Sequence, residues 1–133
     1  MVTGVESTVS LRLPCEPSSV PLARRRVQEW LARFGVPLDR IEDARIVVSE
    51  LVGNSVRHGR PLLDGTIVVA WGLEDGSVEL CVTDGGADTQ PRRVHAPPSA
   101  PSGRGMAIVD LLTDEWWLER TPTRSTVHAR LSV

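Results

Sequence analysis

The sequence predicts an α+β fold: a two-layer α/β sandwich in which a mixed, mainly antiparallel sheet carries its helices on one face. Three observations predict it. Two consecutive stretches in the first half place apolar residues at three- and four-residue steps, Leu22, Val27, Trp30, Leu31, Phe34 and then Ile41, Ala44, Val48, Leu51, Val52. Two β-branched runs flank Glu74-Asp75-Gly76-Ser77, whose Asp-Gly pair signals a tight hairpin. The chain ends on Thr126-Val127-His128-Ala129-Arg130-Leu131, which alternates with Val127, Ala129 and Leu131 facing in. Helix runs and strand runs segregate, as α+β folds require.

At 133 residues the chain is long enough for one domain with a real core, expected to span 1–133 with a loose N-terminus at 1–6. Its formal net charge is −2, so charge implies no direct nucleic-acid partner. Every basic residue is Arg, which excludes a Walker-type phosphate lysine. Cys15 and Cys81 lie far apart without metal-ligand spacing and are expected to be reduced and buried, consistent with a cytoplasmic protein. No apolar run reaches membrane-spanning length and the N-terminus lacks a signal-peptide pattern, so no membrane partner is expected.

Taken in order, Ser7 to Leu13 alternates polar and apolar residues and reads as a half-buried strand, ended by Pro14 and Pro17. Ser18 or Ser19 can cap the first helix, with Pro21 in its first turn; Gly35 and Pro37 close it. Its Arg24-Arg25-Arg26 run is a solvated face or a partner-binding patch. The second helix is expected from Ile41, with Asp39 as its cap and Gly59 and Pro61 as its stop. A turn region over 60–65 leads to a strand from Thr66 to Leu73, the hairpin turn, and a returning strand from Val78 to Thr83. Residues 87–102 carry Pro91, Pro97, Pro98 and Pro101 without periodicity, the texture of a long surface loop or lid. Gly103-Arg104-Gly105-Met106 opens a short helix through Leu112. Glu115 to Arg120 is a strand, 121–125 turns, and Thr126 begins the last strand.

Chemistry concentrates on the second helix. Glu50, Asn54 and His58 are four apart and form one stripe. A solvated face is the common meaning of such a stripe. Against it stand the poor mid-helix propensity of Asn54 and the apolar residues crowding around it. A carboxylate, an amide oxygen and an imidazole in line suit a hard cation and a proton acceptor. Farther on, Asp84-Gly85-Gly86 ends a strand, where glycines let backbone approach a ligand while a carboxylate points at it. The glycines before the third helix expose N–H groups able to cradle phosphate.

The order of these motifs resembles the Bergerat-type ATP-binding fold of gyrase-like, chaperone, histidine-kinase and mismatch-repair ATPases. Within it, the Glu50-Leu51-Val52-x-Asn54-x-x-x-His58 helix, the Gly103-Arg104-Gly105-Met106 turn and the tryptophan-bearing strand most resemble bacterial anti-sigma-factor serine/threonine kinases. The resemblance covers about Ser7 to Leu131. It implies ATP and Mg²⁺ as cofactors, with Glu50 as the general base and Asn54 as the Mg²⁺ ligand. Asp84 would accept from the adenine amino group beside Gly86. Gly103, Arg104, Gly105 and Met106 would form the phosphate turn, 87–102 the ATP lid, and Thr126 would sit near adenine. It also implies a sigma factor and an antagonist protein as partners, and a homodimer with the first helix and N-terminal strand as candidate contacts. The sequence departs from the pattern at Asp88, where a second glycine is expected, and at Arg124-Ser125, where a glycine-rich turn is expected. These departures leave one alternative: an ATP-responsive binding module with little or no kinase activity.

Overall fold

The structure, a computed structural model, describes residues 8–86 and 104–133. The elements run β1 (Thr8–Pro14), α1 (Ser19–Arg33), α2 (Leu38–His58), β2 (Thr66–Glu74), β3 (Ser77–Asp84), α3 (Arg104–Leu112), β4 (Glu115–Thr121) and β5 (Arg124–Ser132). The sheet order is β1-β2-β3-β5-β4. All four strand pairings among the described residues are antiparallel.

Alternation along the strands builds the two-layer arrangement. Ile67, Val69 and Trp71 on β2, Val78, Leu80 and Val82 on β3, and Ala129 and Leu131 on β5 are buried on one face. Opposite them lie Ala23, Val27, Trp30 and Leu31 of α1 and Ile41, Ala44, Val48, Leu51 and Val52 of α2. Burying each of these larger apolar side chains contributes roughly 1.5–3 kcal/mol. α2 packs against α1, β3, β5 and α3, and so is the element around which the site is assembled.

Local backbone details set the lengths of these elements. α1 stops where Gly35 turns into the left-handed region at φ +74°, a conformation that favours glycine. α2 begins at Leu38 after Pro37, one turn before the expected start, so Asp39 lies in its first turn and not at its cap. There its charge complements the helix N-terminus. The β2–β3 turn is the expected hairpin, tightened to the two residues Asp75 (φ 48°) and Gly76 (φ 76°) between the rung Glu74–Ser77.

Candidate functional site

The last turn of α2 meets the end of β3, and the contact is built from unusually small parts. Asp84 is the last residue of β3, only 7% exposed. Gly86 donates its N–H to Asp84 Oδ1 at 2.8 Å, and the Ser55 side chain, itself 5% exposed, is among the groups that lower the pKa of the same carboxylate. Burial pushes the Asp84 carboxyl above its ordinary value, while the Ser55 and Gly86 donors pull it back down. A carboxylate offers about four acceptor positions. The Gly86 N–H takes up one of them, so among the described residues acceptor capacity remains for a ligand.

The chain after α2 closes over this carboxylate. Gly59 donates to Ser55 O at 2.9 Å, Arg60 N–H donates to Gly86 O at 2.8 Å, and Gly85 N–H donates to Arg60 O at 2.6 Å. A Cβ on Gly59 would collide with Asp84 Oδ2 and lie 2.7 Å from its Cγ. A Cβ on Gly85 would run into the Pro61 carbonyl. Sequence alone assigns Gly59 only the role of a helix stop. Its φ of −87° is open to any residue, so the glycine is required by the approach of Asp84 and not by backbone conformation. Gly86, in contrast, has φ +97° with open space beside it.

Glu50 and Asn54 stand on the same half of α2, partly exposed, roughly 6 Å apart along the axis. Leu51, Val52 and Ser55 beside them are buried. Asn54 is thus the immediate neighbour of the buried Ser55, and Glu50 sits one turn earlier. His58 completes the stripe but is exposed. Arg104 and Gly105 open α3, which is laid against α2, and Met106 packs against the core. Gly103 and the expected lid at 87–102 lie outside the described residues.

Strand parity places Ser125 and Thr126 on different faces of the sheet. β5 starts at Arg124, so Ser125 is a strand residue and not part of a turn. In the β3–β5 ladder Asp84 pairs with Ser125 and Thr83 pairs with Thr126. Directly paired residues share a face, and successive residues alternate. Ser125, 6% exposed, therefore lies on the covered face with Asp84. Thr126 lies on the open face, where its hydroxyl is 2.8 Å from that of Thr83. On the covered face the ladder partner of Asp84 is Ser125.

Neither Ser55 nor Ser125 stands out by local spacing, yet each carries a signal. The alternation that sends Val127, Ala129 and Leu131 inward sends Ser125 inward as well. Ser55 is one step from Asn54 and carries a hydroxyl among valines and leucines. The cysteines also differ from expectation: both are free but only half-buried. The Cys15 thiol is pushed up by burial and by the Asp84 charge. Among the described residues no group of three or more His, Cys, Asp or Glu side chains could hold a metal ion by itself. No described helix is long and apolar enough to cross a membrane.

The chain is similar to several known proteins. A family model described as the histidine kinase-like ATPase domain matches residues 13–131. Serine-protein kinase RsbW of Listeria innocua is 29% identical over 119 residues, covering 80% of this chain and 76% of the relative. The anti-sigma F factor of Clostridium botulinum is 26% identical over 129 residues, covering 91% and 90%. Among solved structures, that of the RsbU and RsbW domains of a Mycobacterium tuberculosis protein superposes with a TM-score of 0.74 at 26% identity. The match covers 94% of this chain but spans only 32% of that longer one. With a buried acceptor at the end of β3, a Glu–Asn stripe on α2 and a family match over nearly its whole length, the chain belongs to the histidine kinase-like ATPase domain family.

Proposed function

We propose that the chain is an ATP- and Mg²⁺-dependent serine/threonine protein kinase that acts as an anti-sigma factor. It sequesters a sigma factor in the cytoplasm and phosphorylates an antagonist protein on Ser or Thr. The observation that carries the reading is the buried carboxylate of Asp84, with acceptor capacity to spare, set against the α2 turn that bears Asn54 and Glu50. Two relatives bear the names serine-protein kinase and anti-sigma factor, which favours transfer chemistry over a nucleotide-responsive binder.

Each residue has a task. Asp84 accepts from the amino group of adenine, with Gly86 letting the base lie against backbone. Ser125 offers its hydroxyl from the neighbouring strand. The amide oxygen of Asn54 is a hard donor suited to Mg²⁺, whose remaining ligands come from phosphate and water. The start of α3 at Arg104 and Gly105, with Gly103 before it, supplies backbone N–H groups for phosphate, and 87–102 serves as the cover. Bound ATP contributes a transferable phosphoryl group. Glu50 orients the acceptor hydroxyl and takes its proton as the oxygen attacks.

The test combines the purified chain, labelled ATP with Mg²⁺, and antagonist proteins encoded nearby. Transfer of label to a Ser or Thr of the antagonist is expected. Glu50→Ala should leave nucleotide affinity close to wild type and reduce transfer by at least about a hundredfold. Binding without any transfer by the wild type would reject the kinase reading in favour of a binding module. Undiminished transfer by Glu50→Ala would move the base elsewhere.

A further inference from the structure

One flank of α1 carries Arg26, Glu29 and Arg33 at three- and four-residue steps, the spacing at which opposite charges on a helix meet. On α2 that spacing gives ion pairs, Arg40 with Asp43 at 2.9 Å and Arg45 with Glu42 at 2.7 Å. On α1, among the described residues, none of the three side chains makes a hydrogen bond or an ion pair. They line a cavity of about 660 Å³ instead, whose apolar wall comes from Val9 of the edge strand β1, Trp30 of α1 and Trp71 of β2. Sites for small organic molecules span about 300–1,000 Å³.

Trp71 adds a polar group that lacks a partner. It pairs with Val9 and Leu80 across the sheet and lies on the covered face, 3% exposed. Its Nε1–H is shut off from solvent and, among the described residues, has no acceptor. Trp116, 5% exposed, shows the ordinary arrangement, with its Nε1–H given to Asp110 at 3.0 Å. Buried indole N–H groups find acceptors as a rule, so an orphan of this kind calls for a cause. The charged side of the cavity can move to supply one. Arg26, Glu29 and Arg33 are exposed, and their long side chains have many rotamers to choose from.

We propose that this cavity is a second ligand site, for a small organic anion built on a flat aromatic body. The indole rings of Trp30 and Trp71 take the aromatic body. Arg26 and Arg33 converge on its anionic group, which guanidinium forks match well. The Trp71 Nε1–H gains an acceptor from the same group. Glu29 stands between the two arginines and opposes an anion there, so the site is weakened by its own carboxylate. This site does not depend on the nucleotide reading. Trp71 pairs with Leu80, four residues before Asp84 on β3, roughly 13 Å along the strand.

The experiment titrates the purified chain with two fluorescent dyes. Anilinonaphthalene sulfonate is an aromatic anion, and phenylnaphthylamine is the same aromatic body without the sulfonate. The sulfonate dye should bind at a single saturable site, at least about tenfold more tightly than the neutral dye. Arg26→Gln and Arg33→Gln should each weaken the sulfonate dye several-fold and leave the neutral dye unchanged. Glu29→Gln, which removes the opposing charge, should tighten the sulfonate dye. Trp71→Phe keeps an aromatic wall without the N–H and should weaken the sulfonate dye more than the neutral one. Thermal melts report that each variant is folded. Should Trp71→Phe fail to fold, the three variants at exposed positions carry the test. Equal affinity for the two dyes would overturn the proposal, as would arginine variants without effect or a Glu29→Gln variant that binds more weakly. A Trp71→Phe loss of both dyes alike would mean that the indole only fills space, and would overturn it too. Displacement of the sulfonate dye by ATP with Mg²⁺ would place the dye beside Asp84 and so overturn the second site.

Discussion

On β3 and β5, adjacent rungs send polar side chains to opposite faces of the sheet, and their fates diverge. Thr83 and Thr126 meet on the open face and satisfy each other across 2.8 Å. Asp84 and Ser125, one residue along, lie on the covered face, buried at 7% and 6% exposure. The open face is held by cross-strand pairs of the same self-sufficient kind. Trp117 stacks on His128 with ring centroids 4.8 Å apart, His128 pairs with Glu119, and Arg130 bonds Glu115 at 2.9 Å. It also carries a shallow groove of about 540 Å³ whose floor is made of small residues such as Ala70, Gly72 and Cys81. Polar groups there finish their business with one another. On the covered face the Asp84 carboxyl is desolvated, accepts from the Gly86 N–H among the described residues, and lies beside a helix that bears two more candidate site residues. The difference shows that groove volume is a poor guide in this molecule. What marks the site is a polar group whose burial the fold leaves partly uncompensated.

The hardest way to break the comparison is to remove the charge. Asp84→Asn keeps the shape and should weaken ATP binding by about ten- to a hundredfold, the worth of a hydrogen bond to a charged group. Its effect on the nucleotide-free protein should have the opposite sign. Because the folded-state carboxyl is raised, the folded protein holds the Asp84 proton more tightly than the unfolded chain does. The contribution of this group is most favourable below the ordinary aspartate value of 3.8 and is lost as pH rises through the folded-state value. At neutral pH the ionised, buried form is therefore a net burden, and Asp84→Asn should raise stability by about 1 kcal/mol. Calorimetry and thermal melts at two pH values check both signs. A variant that loses ATP and stability together would mean that Asp84 is structural.

A smaller break comes from the neighbouring glycine. Gly59→Ala places a methyl group against the Asp84 carboxylate and 2.8 Å from Ser55 O. Overpacking of this kind costs about 1–3 kcal/mol, and relief requires the carboxylate or the 59–61 segment to move. Both stability and ATP affinity should fall. Gly35→Ala serves as the contrast: it meets nothing within 4 Å and should affect only the end of α1, through its φ of +74°. Equal effects on ATP from the two variants would dissolve the claim that Gly59 is set by its proximity to Asp84.

The elements and the outline of the site are legible in the residues because they obey local rules. Helical spacing exposes α1 and α2, alternation exposes β5, and Asp75-Gly76 exposes the hairpin. What escapes depends on who the neighbour is. Ser55 is a one-residue step from Asn54, yet that step turns it by roughly 100° from the polar stripe toward the core. Nothing local says that a carboxylate from β3 waits there. Gly59 reads as a helix stop in any sequence, and only the approach of Asp84 reveals its second reason. Asp39 looks like a cap as long as Pro37 is counted as the end of α1, when it is the cap position of α2.

Thr126 and Ser125 provide the finest test, since they are adjacent and both are hydroxyl residues. Threonine is the adenine neighbour expected from the sequence, where a turn over 121–125 keeps Ser125 outside the strand. With β5 extended to Arg124, parity alone decides between them. Ser125→Ala should weaken ATP by several-fold, about 1 kcal/mol for a single neutral hydrogen bond, with little change in the unliganded melt. Thr126→Val keeps the branched shape but strands the Thr83 hydroxyl on the open face, where water can reach it. It should cost at most about 1 kcal/mol of stability and leave ATP affinity unaltered. Calorimetric titration of both variants beside wild type reads the outcome directly. If Thr126→Val weakened ATP while Ser125→Ala did not, the nucleotide would have to lie on the open face, with Trp117 and His128, and the division between the two faces would be reversed.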